Sequence, residues 1–209
     1  GERSMWGPVS GRRAFLAALA GLGIGLGMRR CGVRGQTLPV RPPGAVPEPA
    51  FRSRCARCGN CFQACPRDVL QPDLEASRWS GWLAPVVVVG STYCNEWCHA
   101  CTQVCPTGAI RRLGLEDKRN TSIGLAEISK SRCLAWEKQE YCMVCHEFCP
   151  YLAIRTVTHR GVNCPEVDPA MCRGCGACQA NCPAIPVKAI RVEGREQKRV
   201  RALPSFDPA

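Results

Sequence analysis

The sequence predicts an α+β fold of small units, in which short hairpins and short helices wrap cysteine-lined sites. Three observations predict it. The 209 residues hold 18 cysteines, and sixteen of them gather in four runs that each close on Cys-Pro. The apolar inventory is thin for a self-sufficient core: five Phe, five Trp and three Tyr stand against 20 Gly and 17 Pro. Small chains of this kind are usually held by cross-links or metal. Brief apolar or alternating segments follow the runs, the pattern of short half-buried strands.

In chain order, residues 1–35 read as a targeting segment. Ser10-Gly11-Arg12-Arg13-Ala14-Phe15-Leu16 is close to the twin-arginine pattern, an address read by a receptor. The uncharged stretch from Ala14 to Met28 is 15 residues long, short of the roughly 20 that span a bilayer. It fits the core of a signal peptide better. No clear Ala-x-Ala site follows, so an uncleaved N-terminal anchor is the alternative. Residues 36–50 are rich in proline (Pro39, Pro42, Pro43, Pro47, Pro49) and read as an extended linker.

The runs occupy residues 51–193. They are Cys55-Cys58-Cys61-Cys65-Pro66, Cys94-Cys98-Cys101-Cys105-Pro106, Cys133-Cys142-Cys145-Cys149-Pro150 and Cys172-Cys175-Cys178-Cys182-Pro183. The first and fourth read C-x2-C-x2-C-x3-C-P, the bacterial ferredoxin signature for [4Fe–4S] clusters. Three thiolates at this spacing cap three irons of one cubane, and the fourth, carried away by its proline, reaches a neighbouring cubane. Four runs predict four [4Fe–4S] clusters in tandem or nested bacterial ferredoxin-like units around cubane pairs. They also predict an electron carrier whose apo-form is largely unfolded, because ligand binding and folding are one equilibrium. The first cysteines stand at 55, 94, 133 and 172, a constant step of 39 residues, which signals an internal repeat.

In two-cluster ferredoxins three cysteines of one run combine with the last cysteine of the other. Pairing like with like gives a nested arrangement, with an outer unit from runs one and four and an inner unit from runs two and three. Cys55, Cys58, Cys61 and Cys182 would then hold one cluster, and Cys172, Cys175, Cys178 and Cys65 its partner. Cys94, Cys98, Cys101 and Cys149 would hold the third, and Cys133, Cys142, Cys145 and Cys105 the fourth. Sequential pairing, first with second and third with fourth, is the rival. Gly59, Gly174 and Gly176 sit between ligands, where a backbone without Cβ can wrap close to sulfides.

Val69-Leu70, Ala109-Ile110, residues 153–157 and residues 189–193 follow the runs as short strand-like segments. Pro85-Val86-Val87-Val88-Val89-Gly90 reads as a buried strand. Residues 194–209 carry Arg195, Lys198, Arg199 and Arg201 and read as a basic surface tail.

Other readings of the cysteines fit less well. Zinc favours two C-x2-C pairs separated by a dozen residues or more. Disulfides are conceivable in an exported chain, but not at four repeats of cubane spacing. Cys142-Met143-Val144-Cys145-His146 is a literal C-x-x-C-H haem signature, yet haem there would orphan Cys133 and Cys149. His146 then reads as a surface histidine, and His159 has no partner signal. Cys164 reads as a buried structural thiol, and Cys31 belongs to the leader. Trp79, Trp82, Trp97 and Trp136 are expected to pack around the clusters.

The formal charge of +11 counts the cysteines as neutral. Sixteen ligating thiolates around four 2+ cores lower it to about +3, of which the leader carries +5. A nucleic-acid reading of the high pI therefore fails. No nucleophile–base pair, Walker loop or dinucleotide fingerprint occurs, so no catalytic residue is assigned.

Several segments resemble the ferredoxin-type proteins of periplasmic nitrate reduction and methylamine utilisation (MauM/NapG). They are Arg41-Pro42-Pro43-Gly44-Ala45 ahead of Cys55-Ala56-Arg57-Cys58-Gly59-Asn60-Cys61, then Val104-Cys105-Pro106-Thr107-Gly108-Ala109, and Gly124-Leu125-Ala126 ahead of Cys133. The second run departs from the family in the spacing of Cys94, Cys98 and Cys101. The resemblance implies a periplasmic four-cluster electron-transfer protein. Its partners would be a membrane iron–sulfur protein fed by quinol and a redox enzyme. By analogy with larger four-cluster subunits the resemblance also favours the nested pairing. The methylamine side of the family implies an alternative, a factor for assembly or maturation of a periplasmic dehydrogenase.

Overall fold

A computed structural model describes residues 38–75 and 81–200. The leader, Cys31, Trp79 and the end of the tail lie outside the described residues. The described chain consists of two successive halves with the same plan: a run, an antiparallel strand pair, a second run, and a closing strand contact.

In the first half, α1 (Glu48–Arg54) leads into the first run, which contains α2 (Asn60–Gln63). Then β1 (Leu70–Pro72) pairs with β2 (Pro85–Val87), with Leu70 opposite Val87. The second run contains α3 (Ala100–Gln103). A bridge between Ala45 and Ile110 closes the half. Phe51, Val69, Leu70, Ala84, Ile110 and Ile123 fill its core.

α4 (Leu115–Arg119) leads to the second half. There β3 (Thr121–Ile128) is followed by α5 (Leu134–Glu137) and α6 (Val144–Glu147) of the third run. Next come the hairpin β4 (Ile154–His159) and β5 (Val162–Val167), α7 (Ala177–Asn181) of the fourth run, and β6 (Ile190–Arg199). The hairpin turns on Arg160 and Gly161, both at positive φ (50° and 80°). That is the twist a two-residue loop needs to match its strands. β3 and β6 pair antiparallel from Ile128–Ile190 to Thr121–Arg199, with an irregularity between Ser122 and Gly124.

This plan sets neighbouring runs side by side, where the nested reading expected the first run beside the fourth. One strand pair lies between the first and second runs and another between the third and fourth, and each reverses the chain, so the second run folds onto the first and the fourth onto the third. The shortest loop closure wins over similarity of spacing.

Two boundaries also shift. The proline-rich segment is not an extended linker. Residues 41–46 are buried, and Arg41 is held by Glu48 at 2.7 Å, by the carbonyl of Pro85 at 2.9 Å and under the ring of Phe51 at 4.9 Å. Composition marked the prolines as punctuation, but a buried arginine with four partners, Asp73 at 3.8 Å among them, makes the segment part of the core. Likewise residues 194–199 are strand rather than tail, because β6 continues to Arg199 against β3. Among the described residues no helix is long and apolar enough to cross a membrane.

Candidate metal centres

Each cysteine of the four runs lines one of four cavities of nearly equal size. Site 1 is walled by Cys55, Cys58, Cys61 and Cys105 around about 360 Å³ of atom-free space. Site 2 has Cys65, Cys94, Cys98 and Cys101 around about 370 Å³. Site 3 has Cys133, Cys142, Cys145 and Cys182 around about 350 Å³. Site 4 has Cys149, Cys172, Cys175 and Cys178 around about 320 Å³.

In every case three cysteines come from one run and the fourth from its neighbour. The exchange of fourth cysteines is as expected, but its partners are sequential. Cys182 meets Cys133 and not Cys55, and Cys65 meets Cys94 and not Cys172. Cys149 meets Cys172 and not Cys94, and Cys105 meets Cys55 and not Cys133.

Short helices deliver the sulfurs. In the two regular runs a left-handed glycine opens the helix: Gly59 before α2 (φ 83°) and Gly176 before α7 (φ 89°). A Cβ on Gly176 would stand 2.3 Å from the side chain of Val89, and one on Gly174 would stand 2.6 Å from the backbone of Gly124. The two irregular runs open their helices on His99 and Met143 at negative φ.

As free thiols seven of these cysteines would resist ionisation. Burial and the neighbouring thiolates push Cys61 up to about 11 and Cys101 and Cys145 up to about 12. Burial likewise pushes Cys94, Cys172, Cys175 and Cys178 up. At Cys105 burial also acts upward, but hydrogen bonds from the N–H of Ile110 at 3.4 Å and from Thr107 more than offset it, and the thiol falls below its ordinary value. The N–H groups of Ala126 and Ala153 point at the sulfurs of Cys172 and Cys149, at 3.5 and 3.3 Å. Such bonds to cluster sulfurs raise reduction potential.

The donor set fits a [4Fe–4S] core. It is all sulfur, four to a site, and it gathers thiolates that repel one another unless a cationic core lies between them. Among the described residues, no three His, Cys, Asp or Glu side chains close on one ion position. Cys142 and Cys145 face the same cavity as Cys133 and Cys182, and His146 is exposed on α6.

The sites form a line. The N–H of Cys94 donates to the carbonyl of Cys175 at 3.0 Å, and Gln179 donates to the carbonyl of Val89 at 3.3 Å. These contacts set site 2 against site 4. Cys101 of site 2 feels the charge of Cys61 of site 1, and Cys178 of site 4 feels that of Cys145 of site 3. The order is therefore 1–2–4–3. Site 1 opens at Cys58, which is exposed. Site 3 borders an open groove that shares Leu134, Pro183 and Ala184 with it and carries the exposed Ile185.

Cys164 is buried, and its thiol donates to the carbonyl of Ala135 at 3.4 Å. Trp136 is half-buried and donates to the carbonyl of Pro165 at 2.9 Å. His159 lies with its ring centroid 5.0 Å from that of Trp136. Trp82 and Trp97 are exposed, contrary to their expected packing role. Trp97 lies instead under the guanidinium of Arg119 at 4.0 Å. Residue pattern gave no hint of two buried cations at the junction, Lys118 and Arg173.

Comparisons with known proteins find iron–sulfur relatives. Residues 54–109 match a family described as "4Fe-4S dicluster domain", which spans the first and second runs together. Residues 169–187 match one described as "4Fe-4S binding domain". The chain is 36% identical to the ferredoxin-type protein NapG of Escherichia coli over 86% of each chain. It is 33% identical to the methylamine utilization ferredoxin-type protein MauM of Methylorubrum extorquens, over 88% of this chain and 86% of that one. It is 31% identical to the ferredoxin-type protein NapF of Escherichia coli, over 72% of this chain and 84% of that one.

Proposed function

Because this chain belongs to the NapG/MauM family of ferredoxin-type proteins, we propose that it is an exported, non-catalytic relay with four [4Fe–4S] clusters. It passes single electrons from a quinol-linked membrane iron–sulfur protein to a redox enzyme. The observation that carries the reading is the line of four four-cysteine cavities, 1–2–4–3, through one small chain.

The ligands of the four clusters are the sixteen cysteines of the runs, in the sequential sets that wall the cavities. When bound, the clusters supply one-electron carriers of adjustable potential. The chain's own residues hold and insulate them. Left-handed glycines bring backbone close, N–H groups stabilise sulfur charge, and apolar side chains exclude water. The two ends of the line serve as docking points: exposed Cys58 at one, and the groove around Leu134, Pro183 and Ile185 at the other. The twin-arginine motif of residues 10–16 fits export of a chain loaded with clusters before it crosses the membrane.

Energised membranes from the source cell test the relay. They should bleach the visible absorbance of added holo-protein in a quinol-dependent way, and a soluble periplasmic extract should restore it. Holo-protein that no membrane preparation reduces, in a strain whose redox enzyme also fails to mature without it, would point to assembly instead.

A further inference from the structure

The two halves meet across two buried cations. Lys118, on α4, is 3% exposed, and Arg173, between Cys172 and Gly174, is 2% exposed. Moving a charge out of water costs several kcal/mol unless polar or oppositely charged groups surround it. The groups that surround these two belong to the two inner sites.

Lys118 donates from Nζ to the carbonyl of Asn95, the residue after Cys94 and part of the wall of site 2. Its charge and a side-chain hydrogen bond favour the Cys94 thiolate. Arg173 lines site 4. Its Nε donates to the carbonyl of Arg119 at 2.9 Å and its Nη2 to Oδ1 of Asn120 at 3.5 Å. It is thus clamped to the segment that follows Lys118. Its guanidinium lies 5.0 Å over the ring of Tyr151, and its charge favours the Cys172 thiolate.

The outer sites are surrounded differently. Arg57 at site 1 and Arg132 beside site 3 are exposed, and Lys188, which donates to the carbonyl of Cys182, is half-buried. Arg41 is buried and donates to the carbonyl of Pro85 in the wall of site 1, but its charge is met by Glu48 at 2.7 Å and Asp73 at 3.8 Å. Charges open to water are screened by salt, whereas buried ones are screened much less.

We propose that Lys118 and Arg173 hold the two inner sites at higher reduction potential than the outer two. Electrons entering from either end then come to rest in the middle of the chain. The proposal rests on the reading of the four cavities as cluster sites. Reduction adds one electron, and so one negative charge, to a site; the donor loses that electron, and no bond forms or breaks. A cation fixed beside the site in a low-dielectric interior favours that added charge, and net charge is among the factors that set cluster potentials.

Full-length holo-protein, titrated anaerobically with dithionite and mediators under electron paramagnetic resonance, tests this. Wild type should show a higher pair and a lower pair of midpoints. Lys118→Met should move one of the higher pair negative by at least about 59 mV, the equivalent of tenfold for a one-electron couple. Lys118→Arg should restore it, and Arg173→Gln should move the other member of that pair. Unchanged midpoints in both neutral variants, or four that move together, would overturn the proposal. If a variant loses its clusters, the salt dependence of wild type decides. Between about 0.05 and 0.5 M KCl the lower pair should shift and the higher pair should not. A higher pair that shifts as far as the lower one would also overturn it. Fewer than four cluster signals in wild type would break the reading of the sites, whereas four signals with unaltered midpoints would break the tuning alone.

Discussion

The backbone N–H of Cys94 donates to the carbonyl of Cys175 at 3.0 Å, and through that bond two separate halves become one line of sites. Each residue belongs to an inner cavity. The glycine after Cys175 completes the junction, because the side chain of Val89 occupies the space its Cβ would take.

Gly176→Ala should therefore damage the junction. The substitution forces a left-handed residue, which costs about 1–2 kcal/mol, and overpacks Val89, which costs about 1–3 kcal/mol more. Visible absorbance should be lost on anaerobic heating at least tenfold faster than in wild type. Val89→Ala in the same chain should recover the steric part only. A Gly176→Ala protein as durable as wild type would contradict the close packing.

Sequential sharing of cysteines predicts which substitutions are redundant. Cys55→Ser and Cys105→Ser should erase the same resonance signal, and Cys133→Ser and Cys182→Ser another. In each pair the double variant should lose no further iron than the single ones. If Cys182→Ser instead erased the signal lost with Cys55→Ser, the runs would be nested after all.

Glu48 gives a prediction in pH. Burial acts to raise its carboxyl, but hydrogen bonds and charge from Arg41 and Arg52 outweigh that and hold it below the ordinary 4.5. A carboxylate depressed by folding contributes stability above its unfolded value, and that contribution drains away as pH falls through the folded one. Glu48→Gln should cost about 2 kcal/mol at pH 7, below the usual figure for breaking a fully buried pair. The gap between variant and wild type in thermal durability should hold from pH 7 to 5 and shrink below 4.5. A gap independent of pH would mean that charge plays no part.

The sequence carried the chemistry more fully than the arrangement. Cysteine spacing alone singled out the sixteen residues that wall the cavities, since three of the four cysteines of each site are local in the chain. Gly59, Gly174 and Gly176 were legible for the same reason, and each has positive φ. The partner of each run was not. It depends on the weak pair β1–β2 and on the hairpin at Arg160-Gly161, neither of which is recorded in the cysteine pattern. Nor could composition show that Arg41 is buried among Glu48, Phe51 and Pro85 in what reads as a proline-rich linker. Lys118 and Arg173 stayed hidden because their burial arises only where the halves meet.

Iron and acid-labile sulfide, measured on chain purified without oxygen, test the account most directly. Four cubanes predict about sixteen of each per chain. A folded, durable protein that contained no labile sulfide would contradict it.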